Sequence, residues 1–362
     1  MRPDEVDALG LRLAAQLRGA GFDDADFDGD REDPGVFVRG GRMRMRPLVD
    51  VWDTLDPWER EVAEARWIHA IQDEPELPTD PDDVIAMIRP RLRSLGFFTS
   101  QRLAARVEGR ELAPLAWALT DHLAVDVVLD LGDRLVPCSV TGLASWGLSP
   151  EEALDRGVTA LAAQPRWDAL SPGLWRTGPF DDHAASRMMV WRHARPVPTR
   201  GAPVLLPAQE DLLLVAGADD ADALMIMAAV AGSLRGPLLA GLPVQFIDAV
   251  GWVPWRPEAA HPAARAFRAL EVRAAVEAVA SQRDLLSRLS PVEPAWLFAD
   301  ADGQHTEAVL SDAPCWVPEA DRVRLPSGEV VAWASFLERC SAEPVAGVWP
   351  RRWAYSEEAP RD

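Results

Sequence analysis

Residues 122–161 read HLAVDVVLDLGDRLVPCSVTGLASWGLSPEEALDRGVTAL, and residues 201–232 read GAPVLLPAQEDLLLVAGADDADALMIMAAVAG. Each is a strand, a turn and a second strand, followed by a helix that opens on acids. In the first, Val125, Val127 and Leu129 alternate with Ala124, Asp126, Val128 and Asp130, the period-two mark of a half-buried strand. Gly132-Asp133 turns the chain into Leu135-Val136. Ser149-Pro150-Glu151-Glu152 is a capping box with proline at the first helical position, and Leu154, Val158 and Leu161 form the predicted buried stripe. In the second, residues 204–206 and 212–215 flank a polar turn. Asp219, Asp220 and Asp222 then stand where negative charge suits a helix macrodipole, with Leu224, Met227, Ala228 and Ala231 as its predicted buried face. Both units expose one apolar face that needs a shared partner. The pattern therefore predicts an α+β fold, an antiparallel or mixed sheet with packed helices.

Outward from this core, Leu9, Leu13 and Leu17 recur at helical spacing within residues 4–19. Strands and acidic turns follow, in which Arg42, Arg44 and Arg46 alternate with Met43 and Met45, arginines on one face and methionines on the other. A second helix begins at Pro57, with Glu59 and Glu61 in its first turn, and runs through Val62, Trp67 and Ile71. Residues 73–83 carry three prolines and six acids and read as a linker. Residues 83–96 (DVIAMIRPRLRSLG) are predicted helical, as are residues 181–193. Residues 259–289 form an alanine- and arginine-rich helical stretch, broken near Pro262. Residues 295–355 read as short strands with tryptophans at 296, 316, 333, 349 and 353, taken as core filling for a small appended module. The expected organisation is an N-terminal helix–strand–helix region (1–100), a central core (101–256), a helical connector (257–290) and a Trp-rich β module (291–362).

Composition narrows the function classes. The formal charge is −20 over 362 residues, which opposes a nucleic-acid footprint. No apolar run reaches the length of about 18 residues that a membrane span requires, and residues 1–20 lack the profile of a signal peptide. The three cysteines, Cys138, Cys315 and Cys340, fit neither a disulfide framework nor a zinc site, so free thiols in the cytoplasm are expected. The chain has no lysine and no asparagine, and all 37 basic residues are arginine. A GxxxxGK[ST] phosphate loop, lysine Schiff-base chemistry and a kinase-type site are thereby excluded.

Several runs carry a family likeness. Val127-Val128-Leu129-Asp130, Val140-Thr141, Leu143, Trp146-Gly147-Leu148-Ser149 and Glu151-Glu152 follow a "yalD…vt…L…wGls.eeL" pattern. Residues 182–189 (DHAASRMM) are similar to a "DASRLL" helix, residues 201–213 to a "GdpVvavPnrD.Ll" strand pair, and residues 48–71 to an "L.nLya.Y" entry. Over about residues 35–255 the chain resembles the YtpQ-like family of uncharacterised bacterial proteins. It departs from that pattern at Ala184, where the family has aspartate, and at Ala208-Gln209-Glu210, where it has asparagine-arginine. The resemblance implies a fold and brings no activity with it.

The candidate chemistry is sparse. Asp24, Asp26 and Asp28 followed by Gly29 match the first half of a calcium loop, but Gly35 stands where the bidentate glutamate belongs, so an acidic strand and turn is expected. Asp181, Asp182 and His183, with Ser186 nearby, offer a metal or general-base cluster, but three neighbouring polar residues at a helix start are more often a cap, and no GxSxG or HExxH motif accompanies them. Asp121-His122 reads as a turn and Cys138 as an inert buried thiol. Arg187, Arg192, His193 and Arg195, with Arg200, form a basic patch suited to an acidic protein surface or an anion, although salt bridges to the many surface acids account for it more simply. The reading is a cytoplasmic, non-enzymatic protein-binding factor of adaptor, chaperone-like or immunity type. Its expected partner is another protein, with no nucleic acid, membrane, cofactor or metal. The rival is a metal-dependent hydrolase or nuclease-like enzyme using carboxylates alone, with Asp181 and Asp182 as its candidates.

Overall fold

A computed structural model describes residues 2–29, 34–38, 41–72, 80–132, 135–162, 166–178, 183–191, 197–290, 292–340 and 342–355. The chain divides into two units, Met1–Thr79 and Asp80–Asp362.

In the first unit, α1 (Pro3–Gly19) buries Leu9, Leu13, Ala14 and Leu17, the face its leucine spacing predicts. Strands β1 (Asp26–Phe27), β2 (Gly35–Val38) and β3 (Gly41–Arg44) form an antiparallel sheet. Met43 lies opposite the fully buried Val36, so the methionine side of β3 faces the core. The alternation ends there: Met45 is buried but leads into α2 (Arg46–Val51). α3 (Pro57–Gln72) opens with Asp56 and Glu59 each accepting a hydrogen bond from the other's backbone amide.

The second unit starts with a correction. α4 (Pro81–Met87) stops at Met87, and β4 (Ile88–Ser94) replaces the second half of the expected helix. Pro90 has no amide to donate and clashes with the preceding turn, while Arg89, Arg91 and Arg93 alternate with Ile88, Pro90 and Leu92 at strand period. Then come α5 (Leu95–Val107), β5 (Ala116–Ala118), β6 (Leu123–Asp130) and β7 (Leu135–Pro137). β4 pairs antiparallel with β6 along one edge, and β5 and β7 share the other. β6 is therefore buried on both faces up to Leu129. The compact units divide at Thr79/Asp80, within the acidic linker; a boundary at residue 100 would detach β4 from its sheet.

After α6 (Val140–Ser145), α7 (Pro150–Ala162) opens on the Ser149/Glu152 capping box. Its buried face is Ala153, Gly157 and Leu161, one step round from the predicted stripe. A side chain at Gly157 would lie 3.1 Å from Pro90, so the helix can approach the β4 backbone directly.

β8 (Arg166–Ser171), β9 (Leu174–Gly178), β10 (Pro203–Gln209), β11 (Leu212–Gly217), β12 (Val244–Ile247) and β13 (Gly251–Pro254) make an antiparallel sheet in the order β13-β12-β10-β11-β9-β8. A 3-10 helix, Ala185–Val190, occupies the described part of the segment expected as an α-helix. α8 (Ala221–Ser233) buries Leu224, Met227, Ala228 and Ala231, the predicted face. Leu205, Leu214, Val215 and Met188 pack into the same core. Each such side chain contributes about 1.5–3 kcal/mol on burial.

α9 (Ala264–Ala280) and α10 (Arg283–Leu289) follow; residues 259–263 around Pro262 are turns, as expected, and a second break falls at Ser281-Gln282. The remainder holds β14 (Glu293–Pro294), β15 (Trp296–Ala299), β16 (Thr306–Val309), β17 (Cys315–Pro318), β18 (Arg322–Arg324), β19 (Val330–Ala332), α11 (Trp333–Arg339), β20 (Glu343–Pro344) and β21 (Arg352–Tyr355). Two mixed sheets result, β14-β17-β21-β20 and β15-β16-β18-β19. α9 belongs to two cores. Phe267 and Leu270 pack with the six-stranded sheet, and Val279 packs with Val317, Val323 and Phe336 of the C-terminal sheets. The helical stretch thus acts as shared core, and the molecule is α+β throughout.

Candidate functional site

The arginines of β4 are consumed by structure. Arg91 grips Asp126 on β6 through two hydrogen bonds, Nε to Oδ1 at 3.0 Å and Nη2 to Oδ2 at 2.5 Å, with both side chains buried. Arg93 pairs with Glu210 in the β10–β11 turn. Both guanidinium groups lie near the Phe97 ring, at 5.5 and 4.9 Å. The amide of Leu92 donates to Ser186 Oγ at 2.9 Å, and the amide of Ala185 donates to the carbonyl of Glu210 at 2.9 Å. The 3-10 helix is thereby fastened between β4 and the β10–β11 turn. At its start, His183 Nε2 lies 3.0 Å from Asp130 Oδ2 at the end of β6. That hydrogen bond, with a second from the Gly132 amide, holds the Asp130 carboxyl below its usual range despite partial burial. Ser186 is only 1% exposed and its oxygen already accepts from Leu92. His183 and Ser186, both buried, and the partly exposed Asp130 together pin loop to sheet, and the two buried groups are paired as polar groups withdrawn from water must be.

The sequence-derived candidates fare differently. Arg187 is 4% exposed within the 3-10 helix, so it does not face a partner's surface. Its neighbours Ala185, Met188 and Val190 are core residues, which draws the whole turn inward. Arg192, His193 and Arg195 lie outside the described residues, as do Asp181 and Asp182. In the Asp24–Gly29 segment Asp26 and Phe27 pair with β2, and Asp28 Oδ1 accepts from the Gly35 amide at 3.2 Å. Among the described residues no group of three or more His, Cys, Asp or Glu is arranged to hold a metal ion. His122 sits in a turn closed by Thr120, whose hydroxyl accepts from the amides of His122 and Leu123. Burial, reinforced by the charge of Asp126, pushes the Cys138 thiol up to about 12. A thiol so placed is no nucleophile at neutral pH.

The C-terminal sheet β15-β16-β18-β19 presents a different surface. Its pairing register sorts the side chains by face. Leu297, Ala308, Val323 and Val331 lie opposite one another and are buried. The other face carries Trp296, Val309, Arg324 and Val330 in one row and Phe298, Glu307, Arg322 and Ala332 in the next. Trp296 and Phe298 remain 46% and 48% exposed and stack on each other, centroids 5.9 Å apart at 23°. The Arg283 guanidinium from α10 lies 3.5 Å from the Trp296 ring centre in a half-buried cation–π contact. Arg324 Nε donates to Glu307 at 2.7 Å, whereas Arg322 makes no ion pair among the described residues. The core-filling expectation fits Trp333 and Trp353, which pack edge to face at 4.9 Å near Phe336, but not Trp296. Its signal was the alternation Trp296-Leu297-Phe298: one buried leucine between two aromatics puts both aromatics on the opposite face.

No protein-family model, curated protein or solved structure matches the chain. Among the described residues no helix is long and apolar enough to cross a membrane.

Proposed function

We propose that the chain works by binding another protein, as an adaptor, chaperone-like or immunity-type factor of the cytoplasm. The observation that carries this reading is the stacked, half-exposed pair Trp296 and Phe298 on the outer face of the C-terminal sheet. Displayed aromatics with an arginine beside them are the residue types that dominate protein–protein binding energy, because they bury large area at small entropic cost. Val309 and Val330 extend the apolar surface on the same face. Membership in the YtpQ-like family belongs to the same proposal, supported by the strand pair β10–β11, whose residues carry part of the likeness.

The test is affinity purification of the full chain from its native host after chemical cross-linking, with the co-purifying proteins quantified. A protein partner at near-equal amount supports the reading. Recovery of the chain alone under cross-linking overturns it.

A further inference from the structure

We propose that the outer face of the β15-β16-β18-β19 sheet binds an extended acidic segment of a partner protein, with an apolar or aromatic side chain set between carboxylates. This rests on the protein-binding reading and adds the chemistry of the partner. The face has an apolar strip and a cationic strip at fixed separation. Trp296 and Phe298 line the first, on the terminal strand β15. Arg322 and Arg324 line the second, two strands away on β18. Neighbouring strands lie about 4.8 Å apart, so the strips are roughly 10 Å apart. An extended segment spans that distance in about three residues, enough to seat an anchor on the aromatics and a carboxylate on Arg322. Arg283 adds a second cation at the aromatic end, already positioned over Trp296. Its delocalised charge leaves donors at the guanidinium edge for a carboxylate while its face stays on the ring.

Charge gives the face its selectivity. The chain carries −20 overall, so an acidic partner is repelled by the protein as a whole. Against that field Arg283, Arg322 and Arg324 are opposed, among the described strand residues of this face, only by Glu307, which Arg324 already pairs. An acidic segment is therefore favoured in this register and disfavoured elsewhere. A nucleic-acid strand fits less well, since it needs a run of phosphate contacts and only these few arginines are supplied.

The test uses the full chain and a labelled synthetic peptide of about twelve residues alternating glutamate with phenylalanine and leucine, followed by fluorescence anisotropy. Comparison probes are the same peptide with glutamine for glutamate and a fifteen-nucleotide oligothymidylate. Saturable binding of the acidic peptide is expected, weakened at least about ten-fold by Trp296→Ser, by Arg322→Glu and by the glutamine peptide. Trp58→Ser, which alters a 70% exposed tryptophan in the other unit, should leave binding unchanged. Thermal melts verify that each variant folds. If Trp296→Ser fails that check, Phe298→Ser and Arg322→Glu decide the matter. Absence of saturable binding, binding indifferent to both face variants, or tighter binding of the oligothymidylate at this face would overturn the proposal. A host partner that cross-links elsewhere on the chain also overturns it while leaving the protein-binding reading intact. Absence of any host partner removes that broader reading whatever the peptide does.

Discussion

Asp130 closes β6 with its carboxylate held by His183 and by the Gly132 amide, and that arrangement has a measurable acid signature. The native carboxyl titrates below its unfolded range because the His183 hydrogen bond favours the charged form. The bond therefore stabilises the fold above the unfolded pKa of about 3.9 and is lost as pH falls through the native value. Asp130→Asn should cost about 1–2 kcal/mol at neutral pH in urea melts, with the gap to wild type narrowing once pH drops below about 4. An equal gap at all pH values would mean that the carboxylate's charge contributes nothing. Arg352 offers a contrasting case. It is fully buried on β21, and burial pushes its pKa down to about 10. Its Nη2 reaches the Val279 carbonyl at 3.4 Å, near the end of α9 where the macrodipole is negative. That single long bond is weak compensation for a desolvated cation. Arg352→Met, which keeps most of the volume, should melt at or above the wild-type temperature, and a loss of more than about 2 kcal/mol would show that the helix end depends on the charge.

Elements show what the sequence could and could not disclose. α7 and α8 were legible because caps and apolar spacing agreed, and β10 and β11 because a polar turn separated two apolar runs. β4 was misread because its arginines, normally solvent-seeking, look like the exposed side of a helix. Only the partner strand, with Asp126 opposite Arg91, shows that two of them are buried. β6 looked half-buried for the same reason. The site face was hidden by a similar ambiguity, since tryptophan is core material and display material alike, and only the pairing register separates Trp296 from Trp333. The loop between α8 and β12 was silent in the sequence, yet α9 holds it tightly. Arg273 donates to the carbonyls of Leu234 and Gly236, and Glu277 accepts from the Leu238 amide. A side chain at Gly241 would sit 2.4 Å from the Leu270 carbonyl oxygen and 2.6 Å from the Glu271 Cα, both backbone atoms. Gly241→Ala should therefore destabilise by at least about 2 kcal/mol in thermal or urea melts. A neutral result would show that the loop can lift from α9 freely.

For the whole molecule the decisive element is α9. Arg268 joins it to Asp321 and to the Gln304 carbonyl, and Asp321 accepts from the amide and hydroxyl of Thr306. The Trp-rich end looked separable in the sequence, because its composition changes and a helix precedes it. A chain ending at Ser290 would strip these partners from α9 and expose Val279. That truncation should lose at least about 3 kcal/mol and melt about 10 °C lower, with a broader transition than residues 80–362 intact. An unchanged, sharp melt would establish the C-terminal sheets as independent. Cleavage within residues 73–83 should instead leave both fragments folded, as judged by limited proteolysis and circular dichroism of the pieces.

The Gly96 region adds a matter of timing. Gln282 Nε2 donates to the Trp349 carbonyl at 2.6 Å and lies 3.4 Å from that of Gly96, and a side chain at Gly96 would meet the Trp349 ring at 3.1 Å. A helix start early in the second unit is thus completed by residues synthesised much later. Chains emerge from the ribosome N-terminus first. The second unit therefore cannot complete this packing until Trp349 has emerged, long after Gly96. A nascent chain of this design depends on whatever shields apolar surface during that interval, and stalled or prematurely terminated products should be found with chaperones or in aggregates.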